Sequence, residues 1–362
     1  MQEVEIKPYT SLHQRIRATQ RPGQSGPGPR LQPFGNFGSN PGDLNAKIYV
    51  PASTGKPSPL IVVMHGCTQT ADAYDRGAGW TKAADDCGFV LLFPEQKRAN
   101  NPNLCFNWFS PRDARRDRGE ALSIAQMVGA AERILDTDPS RVFVTGLSAG
   151  GAMAAVMLAA YPDVFAGGAI IAGLPFATAN NVPQALERMR GQELPEAKKL
   201  GQIARSASSH AGPWPSLSVW HGTNDATVSR KNARAIVDQW RELHGLPENP
   251  HKSEIVRGHP HHVWRDQSGR DVIEEYQVQG LGHGTPLSTR EPGSEEVSGP
   301  HMLEAGISST RRILHFWGLA SSAITEKARP ARLRQAEEQP PVEAPYNIAS
   351  TIENALRAAG LM

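Results

Sequence analysis

Residues 141–153 read RVFVTGLSAGGAM. The run VFVT at 142–145 is β-branched and aromatic, the composition of a short buried strand. Gly146-Leu147-Ser148-Ala149-Gly150 is a G-x-S-x-G pentapeptide, and the alanine-rich stretch from Gly151 onward is a strong helix former. Strand, tight turn and helix in that order are the setting of a nucleophile elbow. The serine there takes a strained backbone geometry with its hydroxyl exposed, and the glycines let strand and helix cross closely. The competing reading is a helix-packing glycine motif with an N-terminal serine. The strand running in and the helix running out favour the elbow.

Working outward, NAKIYV at 45–50 alternates like an early antiparallel strand. LIVVM at 60–64, FVLLF at 89–93, AIIA at 169–172 and LSVW at 217–220 have the unbroken apolar character of buried parallel strands. Helical segments are predicted between them at 76–87, 119–135, 149–161 and 230–244. This rhythm implies an α/β fold, a mostly parallel central sheet with helices on both faces. Residues 253–278 add two or three strands, with Asp266-Gln267-Ser268-Gly269 as a hairpin turn, and a last helix at 301–317 closes the core. The connection at 180–215 is too long to be plain. Its helical stretches at 182–190 and 197–205 form either a cap over the strand ends, with Met189 and Leu200 on its inner face, or an excursion packed at the sheet edge.

The catalytic core is therefore placed at 44–318. Before it, residues 1–43 form an arm with a weak helical pattern at 1–20 and 11 Gly or Pro between 22 and 42, which sustains neither a helix nor a central strand. After it, residues 319–362 read as a charged linker ending in a short amphipathic helix. With 38 Lys and Arg against 36 Asp and Glu, the chain of 362 residues has no dense basic balance for nucleic acid. No run approaches the roughly 18 apolar residues of a bilayer span. The opening Met-Gln-Glu-Val-Glu-Ile-Lys lacks a secretory pattern, which predicts a cytoplasmic protein. Oligomeric state is not legible.

A serine hydroxyl needs a base to take its proton, and an imidazole needs a carboxylate to fix its tautomer. After a nucleophile elbow these partners follow in the order acid, then histidine, each in a loop past a strand. LSVW leads into His221-Gly222-Thr223-Asn224-Asp225, and the predicted strand at 274–279 leads into Leu281-Gly282-His283-Gly284. Ser148, Asp225 and His283 are thus the candidate nucleophile, acid and base; the bland alternatives are a helix-capping aspartate and a turn histidine. An oxyanion hole takes one backbone N–H from the residue after the nucleophile, Ala149, and one from the loop after LIVVM, Cys67. His65 beside it either reaches substrate or holds the loop by hydrogen bonds. His259, His261 and His262 form a rival cluster, HPHH, read as a second-choice base, a metal site or strand packing. Ligand spacing with acidic or Cys partners is missing there, so packing is favoured and no metal site is assigned. The chemistry calls for no cofactor.

The segments LIVVMHGCTQTADAY, FPEQKRANNPNLCFNWF, RVFVTGLSAGGAM, YPDVFAGGAIIAGLPF, SVWHGTNDATV and GLGHGTPL resemble the poly(3-hydroxyalkanoate) depolymerase-type esterases, which are related to feruloyl and acetylxylan esterases. The resemblance covers about 44–318 and implies the α/β-hydrolase fold. It implies Ser148, Asp225 and His283 as the triad and sets Trp108, from CFNWF, near the substrate mouth, where the alternative is a core aromatic. With Cys67 on the oxyanion loop and Cys105 in CFNWF, a Cys67–Cys105 disulfide is expected, Cys87 staying free; three free thiols are the alternative. The expected partner is a polyester or small ester: the chain reads as a serine ester hydrolase acting through an acyl-enzyme on poly- or oligo-(3-hydroxyalkanoate) and short-chain esters. A carbohydrate esterase of the feruloyl or acetylxylan kind is the alternative, ahead of a non-catalytic binding protein. Because many relatives are secreted, the resemblance adds an extracellular location as the alternative to the cytoplasmic one.

Overall fold

The computed structural model describes residues 30–55 and 57–320. In chain order its elements are β1 (Gln32–Pro33), β2 (Asn45–Tyr49), β3 (Ser58–Met64), α1 (Ala71–Ala78), α2 (Trp80–Cys87), β4 (Val90–Glu95), α3 (Gly119–Leu135), β5 (Thr137–Leu147), α4 (Ala149–Ala160) and β6 (Gly167–Ile171). There follow α5 (Val182–Met189), α6 (Ala197–Arg205), β7 (Ser216–Gly222), α7 (Lys231–His244), β8 (Lys252–Val256), β9 (His259–Arg265), β10 (Asp271–Val278), β11 (Thr285–Leu287), β12 (Met302–Glu304) and α8 (Ser309–Phe316).

Ten strands form one sheet in the order β1-β2-β4-β3-β5-β6-β7-β10-β9-β8. The centre, from β4 through β3, β5, β6 and β7 to β10, is parallel. Antiparallel strands flank it: β1 and β2 on one side, β9 and β8 on the other. Side chains alternate across the pleat. Leu60, Val62 and Met64 of β3 join the layer of α3, α4 and α7, while Ile61 and Val63 join that of α1, α2 and α8. All twelve residues of α4 are buried, which explains its run of Ala, Gly and Met: a helix pressed along a sheet has no room for polar side chains.

Three elements differ from the sequence expectation. The helix placed at 76–87 is two helices, broken at Gly79 (φ 68°), which ends α1 and begins α2. The buried carboxylate of Asp75 accepts from the Thr81 N–H and hydroxyl across that break. The helix placed at 301–317 is helical only from Ser309, where the Ser308 hydroxyl caps it by accepting from Arg311 N. Its first part, Met302–Glu304, is instead a strand in parallel register with Thr285–Leu287; tertiary pairing outweighs local propensity there. Finally, the end of the expected arm belongs to the packed body: β1 pairs with β2, and Leu31, Phe34 and Phe37 are buried. The weak pattern at 1–20, the linker and the C-terminal helix lie outside the described residues.

Candidate active site

Ser148 stands where β5 gives way to α4, with φ 55° and ψ −116°, a combination an L-residue holds only when its surroundings over-determine it. The surroundings do so. Ser148 N donates to Ile171 O at 2.9 Å, and Ala152 N to Ser148 O at 2.8 Å. A Cβ on Gly150 would lie 2.4 Å from the Met64 carbonyl oxygen, so α4 crosses the end of β3 backbone to backbone. That crossing brings the loop His65-Gly66-Cys67 against the serine.

The other two side chains arrive from neighbouring strand ends. Asp225 follows β7 and His283 follows β10, and the two loops are tied by Asn224 N to Leu281 O (3.0 Å), Thr223 N to Val278 O (3.0 Å) and Gly280 N to the Thr223 hydroxyl (2.8 Å). His283 Nε2 lies 2.9 Å from Ser148 Oγ, and His283 Nδ1 lies 2.8 Å from Asp225 Oδ2. The Asp225 side chain is fully buried. Its Oδ1 accepts from the N–H groups of Thr227 (2.9 Å) and Val228 (2.8 Å).

Ser148 and His283 open onto a pocket of about 290 Å³. Amides supply one part of its lining: Gln69, Asn100, Asn101, Asn103 and Asn107. Trp108, Phe109, Leu174, Val182, Leu186 and Met189 supply an apolar part. Among the described residues, no Asp, Glu, Lys or Arg side chain lines it. Cys67 and Ala149 both stand in the wall. Cys67 is bonded to Cys105, and Thr68 N donates to Asn103 O at 2.7 Å, so the loop after β3 is fastened to the segment carrying Trp108. Cys87 is free.

Two expected contacts are corrected. His65 does not line the pocket: buried against Phe106, it donates from Nδ1 to Gly66 O (2.7 Å) and accepts at Nε2 from Gln96 N (3.2 Å). Both ring nitrogens are thereby used in holding the loop, and burial pushes its basicity down. Leu200 does not face the pocket either. Of the two helices between β6 and β7, only α5 reaches it, through Leu186 and Met189. Helix α6 packs on α7, with Gln239 Nε2 donating to Leu200 O and Arg205 to Glu242 O. The rival histidines sit in β9 and bond to their neighbours. His259 Nε2 donates to Ala305 O, His261 contacts Glu274 and Glu254, and His262 meets the Ser253 hydroxyl. Among the described residues no group of three side chains is arranged to hold a metal ion.

Residues 44–253 match the family model of the Esterase PHB depolymerase group. The chain belongs to that family. Members of the PHB depolymerase esterase family are carboxylic ester hydrolases, and so is this chain. It is 41% identical over 294 residues to poly(3-hydroxyalkanoate) depolymerase C of Paucimonas lemoignei, covering 80% of this chain and 70% of that one. It is 31% identical over 288 residues to an acetylxylan esterase of Coprinopsis cinerea, covering 78% and 75%. The solved acetyl xylan esterase of Aspergillus awamori superposes with a TM-score of 0.69 at 23% identity, over 80% of this chain and 99% of the other. The fold is that of the α/β-hydrolase esterases.

Electrostatically, this PHB depolymerase-family site is built around one buried anion. Burial works to raise Asp225, but hydrogen bonds from His221 and His283 outweigh it and hold the carboxyl below the usual carboxylate range. A second buried carboxyl, Glu120, backs the amide wall: it accepts from Asn107 N (2.8 Å), Asn107 Nδ2 (2.7 Å) and Gln96 Nε2 (2.6 Å). Burial nevertheless pushes Glu120 up to about 8. Sequence reasoning passed over Glu120, His301 and His221. His301 Nδ1 donates to His283 O at 3.0 Å and its ring stands edge-on to His283; it was hidden inside a segment read as helix. His221 lies within the quoted HGTND stretch, and its placement four residues before Asp225 was the available signal.

Proposed function

We propose that Ser148, Asp225 and His283 form the catalytic triad of an esterase that cleaves short 3-hydroxyalkanoate oligomers and short-chain esters through an acyl-enzyme. The observation carrying this reading is the Ser148–His283–Asp225 hydrogen-bond relay opening onto an uncharged, largely apolar pocket. His283 Nε2 takes the hydroxyl proton as Ser148 Oγ attacks the ester carbonyl. Asp225 keeps Nδ1 protonated and stabilises the imidazolium that forms. The backbone N–H groups of Cys67 and Ala149 receive the oxyanion, and the disulfide with the Thr68–Asn103 bond keeps the Cys67 loop in place as charge develops. His283 then returns its proton to the leaving alkoxide, and water repeats the sequence to free the acid.

The apolar set around Leu186, Met189 and Trp108 suits an aliphatic acyl chain, and the 41% identical relative is a poly(3-hydroxyalkanoate) depolymerase. One observation favours a second reading: five amides in the lining offer donors and acceptors for sugar hydroxyls, as an acetylxylan esterase needs. A panel of hydroxybutyrate oligomers, amorphous polymer, p-nitrophenyl esters, methyl ferulate and acetylated xylan separates the two. Higher kcat/KM on xylan acetate or ferulate than on the oligomers replaces the polyester reading. The disulfide supports work in an oxidising compartment rather than the cytoplasm.

A further inference from the structure

Asp225 has more partners than a triad acid requires. An ionised carboxylate offers about four lone-pair sites. Oδ1 takes two backbone N–H groups, and Oδ2 takes His283 Nδ1. The fourth site faces a second imidazole: His221 Nε2 lies 3.3 Å from Asp225 Oδ2 and 2.8 Å from Val228 O. Because both neighbours of that nitrogen are acceptors, it carries the hydrogen, bonded to Val228 O with Asp225 Oδ2 beside it at ion-pair distance. His221 is buried, and its Nδ1 has no hydrogen-bond partner. The ring is therefore held by Nε2 alone.

We propose that His221 is a positioning residue for the catalytic acid: its Nε2–H locks the Asp225 carboxylate against the Val228 carbonyl and draws off part of the charge that Asp225 presents to His283. This rests on the triad reading above. A merely structural histidine would fasten the Val228 loop, and since Val228 lines the pocket, losing it would act on KM. A positioning histidine acts through the carboxylate on kcat and on the protonation of the base. The charged groups around His221 are Asp225 and His283 from the loops, Glu275 of β10, His262 of β9, and Arg230, Lys231 and Arg234 at the start of α7. None of the last five hydrogen-bonds or ion-pairs with Asp225, so the effect is specific to the His221 ring.

The test uses His221→Phe, which keeps a flat ring without the donor, and His221→Gln, whose amide N–H reaches the place of Nε2. In His221→Phe the fourth lone-pair site stays empty inside the protein, and Asp225 holds the protonated His283 more strongly. The expected result is a loss of about tenfold in kcat with little change in KM. The acidic limb of the kcat/KM profile moves up by about half a pH unit or more. His221→Gln returns both towards the wild type. In an Asp225→Asn background, His221→Phe has no further effect beyond about twofold. A wild-type pH profile in a folded His221→Phe enzyme, or a rise in KM alone, overturns the proposal, as does His221→Gln behaving like His221→Phe. If His221→Phe does not fold, His221→Gln decides alone: a near-wild-type kcat and acidic limb support the proposal, and a loss of kcat with intact Ser148 labelling overturns it. Full activity of Asp225→Asn itself instead removes the triad reading.

Discussion

At the scale of single residues, the site is a serine forced into strain and a carboxylate deprived of water. Triad members act as a unit. Ser148→Ala and His283→Ala are each expected to reduce ester hydrolysis by several orders of magnitude, and a fluorophosphonate probe should label Ser148. Asp225→Asn keeps the shape but offers the wrong imidazole tautomer, with a loss of about 10⁴. Steady-state kinetics on a p-nitrophenyl ester check all three, and near-wild-type turnover in any of them displaces that residue from the triad. These residues were readable in the chain because each follows an apolar run short enough to be a strand end. His301 and Glu120 were not. Their relevance comes from a carbonyl and an amide contributed by distant segments, and no local pattern reports such a meeting.

At the scale of elements, the two helices between β6 and β7 look alike in sequence and do different work. Leu186 of α5 lines the pocket, whereas Leu200 of α6 is sealed against α7. Leu186→Trp should shift preference towards shorter p-nitrophenyl esters with little change in melting temperature. Leu200→Ala should cost about 2–5 kcal/mol of stability and leave chain-length preference as it was. The opposite assignment of effects would show α6 to be the lid. The strand end, turn and helix at 142–160 and helix α3 were legible because burial, glycine and alanine agree there, whereas the start of β5 at Thr137–Arg141 was not. The break at Gly79 and the strand Met302–Glu304 were not, since each answers to a partner elsewhere: the Asp75 carboxylate and β11. The Cys67–Cys105 link closes a loop with a separation of 38 residues. The chain-entropy relation gives it about 4 kcal/mol of stabilisation. Thiol titration of the denatured, unreduced protein should find one free cysteine, Cys87, and the Cys67→Ala/Cys105→Ala variant should unfold at lower urea. Three titrating thiols would remove the link.

At the scale of the molecule, stability should depend on pH in two directions. Asp225 is held below its ordinary value, so its contribution is present above about 3.8 and fades as pH falls. Glu120 and Glu296 are raised by burial from 4.5 to about 8 and about 7, and Asp75 from 3.8 to about 6. For these three the folded state holds a proton that the unfolded chain has lost. Their contribution therefore declines as pH rises from about 4.5 towards 8, and levels off once the folded groups ionise. Buried His65, His244 and His301 are held below their ordinary value and act oppositely over that window. The carboxyl share is read in a variant: the urea midpoint of Glu296→Gln, relative to the wild type, should rise between pH 5 and pH 8. An unchanged difference would mean that the hydrogen bonds to Glu296 fully offset its burial.

The uncharged lining of the pocket also bears on how the product leaves. An ester enters as a neutral molecule, but hydrolysis leaves a carboxylate beside the Asp225–His283 pair, in a chamber where no lysine or arginine waits for it among the described residues. The newborn acid meets apolar side chains on one side and amides on the other, with no cationic side chain among the described residues to pair its charge. Free product acids are therefore expected to inhibit weakly, with a Ki well above the KM of the parent ester, and a Ki at or below that KM would show the amide wall holding the acid.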